Sequence, residues 1–237
     1  MNELKTYIIH VKGEKKREVI IRKEIGKKQI DAEFILDGNK ETISNEILDK
    51  YFSSYMKQIQ NGTSCALKHV FAYEFFLGSA AQFALILEDD IELYKNFNHI
   101  LTKSIGEIKA RNLKNVLISF EESGLMYVKG SERKDNMLLY KKDTGQMAGA
   151  YLIDREAATA MLAIISSNKI SIPIDHFHNH CSENKLINIY WVYPSVACQR
   201  SLNGKLKSII DTKKSGMLRI IEFKLERVYK KILYRLR

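Results

Sequence analysis

Phe83-Ala84-Leu85-Ile86-Leu87-Glu88-Asp89-Asp90-Ile91 runs five apolar residues straight into three carboxylates. A continuous apolar run bounded by charge reads as a strand buried on both faces of an α/β sheet. Ligands of such sheets bind at the carboxyl ends of the strands. Three acids placed there repel one another unless a cation or hydrogen-bond donors compensate them. Carboxylate oxygens suit Mg²⁺ or Mn²⁺, and those ions in turn hold phosphates. The triplet therefore points to a metal–diphosphate site. Taken alone, Asp89 or Asp90 serves equally well as a cap for the next helix. Side chains alternate along a strand, so Glu88 and Asp90 can share a ligand while Asp89 points away.

Outward from this stretch the chain alternates β and α patterns. Residues 7–11 read as a first strand, and 14–26 as a charged helix ended by Gly26. Residues 32–36 form a second strand stopped by Asp37-Gly38-Asn39. Ser44 caps a helix predicted to run towards residue 59, with Gly62 beyond it, and 65–77 form a further helix. Residues 97–110 are helical and 116–120 extended. A polar loop spans 121–135, and strands are expected at 137–140 and 147–153. Asp154 caps a helix over 155–165, and 189–192 is a late strand. The pattern predicts an α/β domain with a mostly parallel sheet and helices on both faces. No Gly-x-Gly-x-x-Gly or Walker-type loop occurs, which disfavours dinucleotide-binding and P-loop folds.

The 237 residues are 45% hydrophobic with only two prolines, which excludes a disordered chain and allows one large core. Cys65, Cys181 and Cys198 are widely spaced and form no Cys-x-x-Cys pair. Neither a zinc site nor a disulfide framework is indicated, and reduced thiols in a cytosolic setting are expected. The apolar stretch at 7–10 is too short for a signal peptide or a membrane span.

Charge divides the chain in two. Residues 205–237 carry eleven Lys or Arg against three acids, and residues 1–204 carry 27 against 25. The expected organisation is a nearly neutral catalytic body over 1–204 and a basic tail over 205–237. Leu218, Ile221, Leu225, Val228, Ile232 and Leu236 recur at helical spacing in that tail. Arg219, Lys224, Arg227, Lys230, Lys231 and Arg235 surround them. This pattern resembles an in-plane helix held on an anionic membrane surface. The alternative is a helix packed on its own core or on a second subunit, giving a homodimer. Basic charge confined to the tail, without a reading motif, argues against nucleic acid as a partner.

Several segments in order carry a family resemblance. Arg17 follows the first strand, where glycosyltransferase family 25 has an Asp-Arg pattern, and Asp37-Gly38 ends the second strand. Cys65-Ala66-Leu67-Lys68-His69 is similar to the family's Gly-Cys-Ala-Leu-Ser-His, and residues 85–90 to its Leu-Ile-Leu-Glu-Asp-Asp. Gly149-Ala150-Tyr151-Leu152-Ile153, Pro173-Ile174-Asp175 and Gln199 follow in the expected order. The chain thus resembles the bacterial lipooligosaccharide β-1,4-galactosyltransferases of that family over about residues 5–205. Asn61-Gly62-Thr63-Ser64 stands where the family usually has Gly-Glu-Ile-Gly, so the usual Glu is replaced by Thr63 or displaced, and Lys68 replaces the common Ser. Both departures bear on donor or acceptor preference.

The resemblance implies a GT-A-like fold and a metal-dependent, inverting transfer, typically of galactose from UDP-galactose to a lipid-linked oligosaccharide acceptor. Asp90, with Glu88 and His176, would hold Mn²⁺ or Mg²⁺ against the leaving diphosphate. Glu88 or Asp89, Asp37, Gly38, Arg17 and His69 would contact the UDP-sugar. Inversion needs a base to deprotonate the acceptor hydroxyl, with Asp175 first and Glu121 or Glu122 in reserve. Arg17 can equally be a solvated helix residue, His69 a core histidine, and Asp175 a helix cap. A cytoplasmic location, peripheral on the inner face of the inner membrane, follows from the tail and the acceptor. A catalytically inactive sugar- or lipid-binding relative is the alternative function.

Overall fold

The computed structural model describes residues 3–122, 127–145, 147–201, 203 and 206, and in the tail Ile221, Leu225, Glu226, Val228, Tyr229, Ile232 and Leu233. In chain order the elements are β1 (Leu4–Ile9), α1 (Lys15–Lys27), β2 (Glu33–Ile35), α2 (Asn45–Tyr51), α3 (Asn61–Gly78), β3 (Phe83–Glu88), β4 (Ile91–Leu93) and α4 (Phe97–Ala110). They continue as β5 (Val116–Ser119), β6 (Leu139–Lys142), β7 (Ala150–Asp154), α5 (Arg155–Asn168), α6 (Ile174–Glu183), β8 (Asn188–Val192) and β9 (Ala197–Gln199).

Seven strands form one sheet of order β2-β1-β3-β7-β5-β8-β6. β2, β1, β3, β5 and β8 run one way, while β7 and β6 run against them. The sheet is thus mixed but mostly parallel by strand direction, as the alternation predicts. β4 and β9 pair separately beside the carboxyl end of β3.

The apolar run of β3 is buried on both faces. Ala84 and Ile86 enter one core with Tyr7, Ile9, Leu67, Val70, Met161 and Phe177, under α2, α3, α5 and α6. Leu85 and Leu87 enter a second core with Ile8, Ile21, Ile25, Phe97 and Ile100, under α1 and α4. Each fully buried Leu or Ile contributes about 1.5–3 kcal/mol. The central strand is therefore fixed in register from both sides, which pins the three acids that follow it.

Three departures from the predicted elements have physical causes. The helix capped by Ser44 stops at Tyr51 because Phe52, fully buried, extends to bridge Ile170. α3 begins at Asn61, so Gly62 lies in its first turn and not beyond a preceding helix. The strand expected from 147 begins at Ala150. The predicted body–tail boundary at 204/205 lies outside the described residues. No described helix is long and apolar enough to cross a membrane.

Candidate active site

β1, β2 and β3 are parallel, so their carboxyl ends open on one side of the sheet. A cavity of about 240 Å³ lies there. Its walls include His10 after β1, Arg17 of α1, Cys65 and Lys68 of α3, the Glu88–Asp90 triplet, and Gln199 of β9. This is where strand topology places ligands in an open α/β sheet.

The three acids are treated differently by their surroundings. Asp89 is neutralised within the protein. Its Oδ1 accepts from Arg17 NH1 at 2.6 Å, and its Oδ2 meets His10 Nδ1 at 2.8 Å. Asp90 is just as deeply buried, yet its Oδ1 has no hydrogen-bond partner among the described residues. Arg17 NH2 stands 3.5 Å from its Oδ2. Burial, with the charge of Glu88, pushes the Asp90 carboxyl up to about 6. Glu88 is pushed up to about 7, chiefly by burial and then by Asp89. A buried carboxylate oxygen without a donor, beside a second carboxyl group, is the local condition that a bound cation relieves.

Glu88 forms the inner end of the site. Its Oε1 accepts from Cys65 Sγ at 3.6 Å, and its Oε2 accepts from Gln199 Nε2 at 3.3 Å. His69 Nε2 lies 3.6 Å from the same Oε1. Behind His69 runs a buried chain of polar contacts. His69 Nδ1 meets the Tyr151 hydroxyl at 2.7 Å, Tyr151 meets Tyr73 at 2.8 Å, and Tyr73 meets His178 Nε2 at 2.7 Å. Burial pulls both imidazoles down to about 3, so both are neutral at pH 7.

The cationic wall is supplied by Arg17 and Lys68. Lys68 Nζ donates to the carbonyls of Leu36 and Asp37 at 2.9 and 2.8 Å, beside the ends of β1 and β2. Burial lowers this ammonium to about 8. Ser64 Oγ donates to the Gly38 carbonyl at 2.7 Å. Gly38 has φ +84°, and a Cβ there would lie 3.0 Å from Leu67. The Asp37-Gly38 turn is thus built for α3 to hold by its backbone.

The predicted site residues divide accordingly. Arg17, Glu88, Asp89 and Asp90 meet at the cavity, but Arg17 serves the acids and is neither a solvated helix residue nor poised alone for phosphate. His69 is fully buried behind Glu88, outside the cavity wall. Asp37 is exposed and off the wall, its contribution being the carbonyl that Lys68 holds. Glu121 is sealed, with Oε2 accepting from the N–H groups of Gly149 and Ala150 at 2.8 and 3.2 Å. Burial holds its carboxyl well above the usual range, and its Oε2 is taken up by two backbone donors, so it acts as a structural clamp and does not face the cavity as a base. Glu122 Oε2 accepts from the Tyr94 hydroxyl at 2.7 Å and does not line the cavity. His176 is exposed on α6, away from the cavity, so its position gives no support for metal ligation. Asp175 sits in the first turn of α6, where its Oδ1 accepts from the His176 N–H at 2.9 Å. Its charge acts on Cys65, His69 and Glu88.

Sequence reasoning missed His10 and the role of Lys68. The available signals were a polar residue at the end of an apolar strand and a lysine in an otherwise apolar helix face.

A sequence profile of glycosyltransferase family 25 (LPS biosynthesis protein) matches residues 3–178. The chain belongs to this family. It is a glycosyltransferase, which requires a sugar donor and an oligosaccharide acceptor. No curated protein matches it significantly. Among solved structures, A197 from STIV is similar at 13% identity, with 81% of each chain covered and a TM-score of 0.44. A glycosyltransferase involved in the glycosylation of the major capsid of PBCV-1 is similar at 10% identity. There 94% of this chain and 98% of that one are covered, with a TM-score of 0.37.

Proposed function

We propose that this chain is an inverting, metal-dependent hexosyltransferase of GT-A type. It would move galactose from UDP-galactose to a lipopolysaccharide or lipooligosaccharide acceptor through a β-1,4 linkage. The observation that carries the reading is Asp90, a buried carboxylate at the carboxyl end of β3 with an oxygen that lacks a hydrogen-bond partner among the described residues. The residues present fit a hard divalent ion. Asp90, with Glu88 beside it, would hold Mn²⁺ or Mg²⁺, which stabilises the charge developing on the leaving diphosphate.

The chain's own groups supply the rest. Arg17, locked on Asp89, keeps a fixed positive charge at the cavity without a reorganisation cost at the moment of reaction. Lys68 adds a second cation and fixes the Asp37-Gly38 turn. Asp175, which lies off the cavity wall, would take the proton of the acceptor hydroxyl; it is partly exposed and within electrostatic reach of Glu88. Glu121 and Glu122 are committed elsewhere. The tail would hold the enzyme peripherally on the cytoplasmic face of an anionic membrane, near a lipid-linked acceptor.

The test is a panel of UDP-sugars with Mn²⁺, read as UDP release. Release is expected to be fastest with UDP-galactose, to vanish in excess chelator, and to fall at least about 100-fold in Asp90→Ala. Full activity in that variant or in chelator refutes the metal role. Binding of UDP-sugars without turnover across the panel selects the inactive-relative reading instead.

A further inference from the structure

Cys65 and His69 are four residues apart on α3 and so share one helix face. That face meets the last residue of β3. Cys65 Sγ and His69 Nε2 each lie 3.6 Å from the same oxygen of Glu88, and all three ligand atoms fall within 4.8 Å of one another. This triad shares Glu88 with the cation site proposed above, but it involves neither the pairing of Asp89 with Arg17 and His10 nor the Oδ1 of Asp90.

The contacts suit a metal better than they suit one another. A 3.6 Å thiol–carboxylate contact is long and weak as a hydrogen bond. His69 Nε2 is fully buried and has no hydrogen-bond partner among the described residues. An unpartnered ring nitrogen in a dry interior costs about 1–3 kcal/mol unless something satisfies it. Tetrahedral zinc, with its usual bond lengths to S, N and O, requires ligand atoms about 3.4–3.6 Å apart. The two distances to Glu88 match that spacing, and Cys65 Sγ and His69 Nε2, within 4.8 Å of one another, would draw together on the ion.

The surroundings also prepare His69 for ligation. Its Nδ1 is held by the Tyr151 hydroxyl, itself fixed by Tyr73 and His178. A hydrogen-bonded partner on the other ring nitrogen is the usual support of a metal-bound histidine. Cys65 and Glu88 line the cavity, so a fourth position would face it. Thiolate and imidazole select a softer ion than the all-oxygen ligands that suit Mg²⁺.

We propose that Cys65, His69 and Glu88 form a binding site for a borderline divalent ion such as Zn²⁺, with its fourth coordination position open to the cavity. On binding, the Cys65 thiol loses its proton to solvent and the thiolate sulfur bonds the ion. No redox step is involved. The site does not depend on the transferase reading, since its ligands are defined without a donor or acceptor.

The test uses the full chain loaded with Co²⁺ as a spectroscopic stand-in for Zn²⁺. One equivalent is expected to give a near-ultraviolet thiolate-to-cobalt charge-transfer band, displaced by Zn²⁺. Cys65→Ser is expected to abolish the band and weaken Zn²⁺ by at least about 100-fold, with circular dichroism confirming the fold. Tyr151→Phe is expected to keep the band and weaken Zn²⁺ by about 10-fold. A folded wild-type chain that takes Co²⁺ without the band overturns the proposal. So does a band that persists in Cys65→Ser, which would place the thiolate at Cys181 or Cys198. Because no turnover is measured, an inactive enzyme leaves the result readable.

Discussion

Asp89 and Asp90 are neighbours in sequence and nearly equal in burial, yet they have opposite energetic roles. Asp89 is paired with Arg17 and His10, so Asp89→Asn leaves a buried guanidinium short of its counter-charge. The expected loss is about 3 kcal/mol of unfolding free energy in urea melts. Asp90→Asn removes a carboxylate with an unpartnered oxygen, so stability is expected to hold or rise while metal-dependent transfer is lost. Equal destabilisation by the two substitutions would refute this division. Gly149 is a second residue whose identity is dictated by close approach. A Cβ there would lie 2.5 Å from Gln199 Nε2 and 3.0 Å from Glu121 Oε2. Gly149→Ala is expected to cost about 1–3 kcal/mol and to weaken donor binding, because Gln199 must leave Glu88. Unchanged thermal stability and donor affinity in that variant would show that both side chains yield freely. The position of the triplet was legible in the sequence from the apolar run before it. Its division of roles was not, because the partners of Asp89 lie 72 and 79 residues away.

At the scale of elements, the long periodic segments were readable and the short ones were not. β3 and α4 match their predicted spans closely because each carries its own apolar period, and α5 starts where predicted, at the Asp154 cap that accepts from Ala157 N–H at 2.8 Å, but runs on past 165 to Asn168. β4 and β9 are three residues each and exist by pairing with one another, information that no local window contains. α6 went unassigned because three histidines and a flanking proline mask its buried face of Ile174, Phe177, His178 and Cys181. That face ties α6 to α3 and β7 through the His178–Tyr73–Tyr151–His69 chain. Burial pulls His178 down to about 3. Its folded pKa therefore lies below the unfolded value near 6.5, and the unfolded chain takes up the proton first as pH falls. The stability that neutral His178 contributes is present above about 6.5 and is lost progressively as pH drops towards 3. His178→Gln keeps an acceptor for Tyr73 but cannot titrate. Its stability relative to wild type is expected to improve by about 2 kcal/mol between pH 7 and pH 5, measured by denaturant unfolding. A difference that stays constant over that range would mean the folded protein protonates His178 without opening.

For the whole molecule, the deciding quantity is where its charge lies. The net charge of +10 is carried mostly by residues 205–237, while residues 1–204 are nearly neutral. Long-range attraction therefore acts on one end of the chain, and an anionic surface would orient the protein by that end. Ile221, Leu225, Val228 and Ile232 are helical and exposed at 49, 64, 56 and 51%, so these apolar side chains are not covered by the rest of the fold. Residues 216–237 carry seven Lys or Arg against two Glu, and each basic residue near an anionic leaflet is worth about 1 kcal/mol. Apolar insertion and basic attraction together are the two-part anchoring that an in-plane helix needs. Deleting residues 216–237 is expected to reduce binding to phosphatidylglycerol vesicles at least about 10-fold and to leave transfer to a soluble acceptor within about 2-fold. In the full chain, raising salt from about 0.1 to 0.5 M should weaken vesicle binding, since the screening length falls well below 10 Å. Undiminished vesicle binding after truncation, measured by flotation, would remove the tail from this role. A dimer in the full chain that dissociates on truncation, with no vesicle binding in either form, would assign the exposed stripe to a second subunit instead.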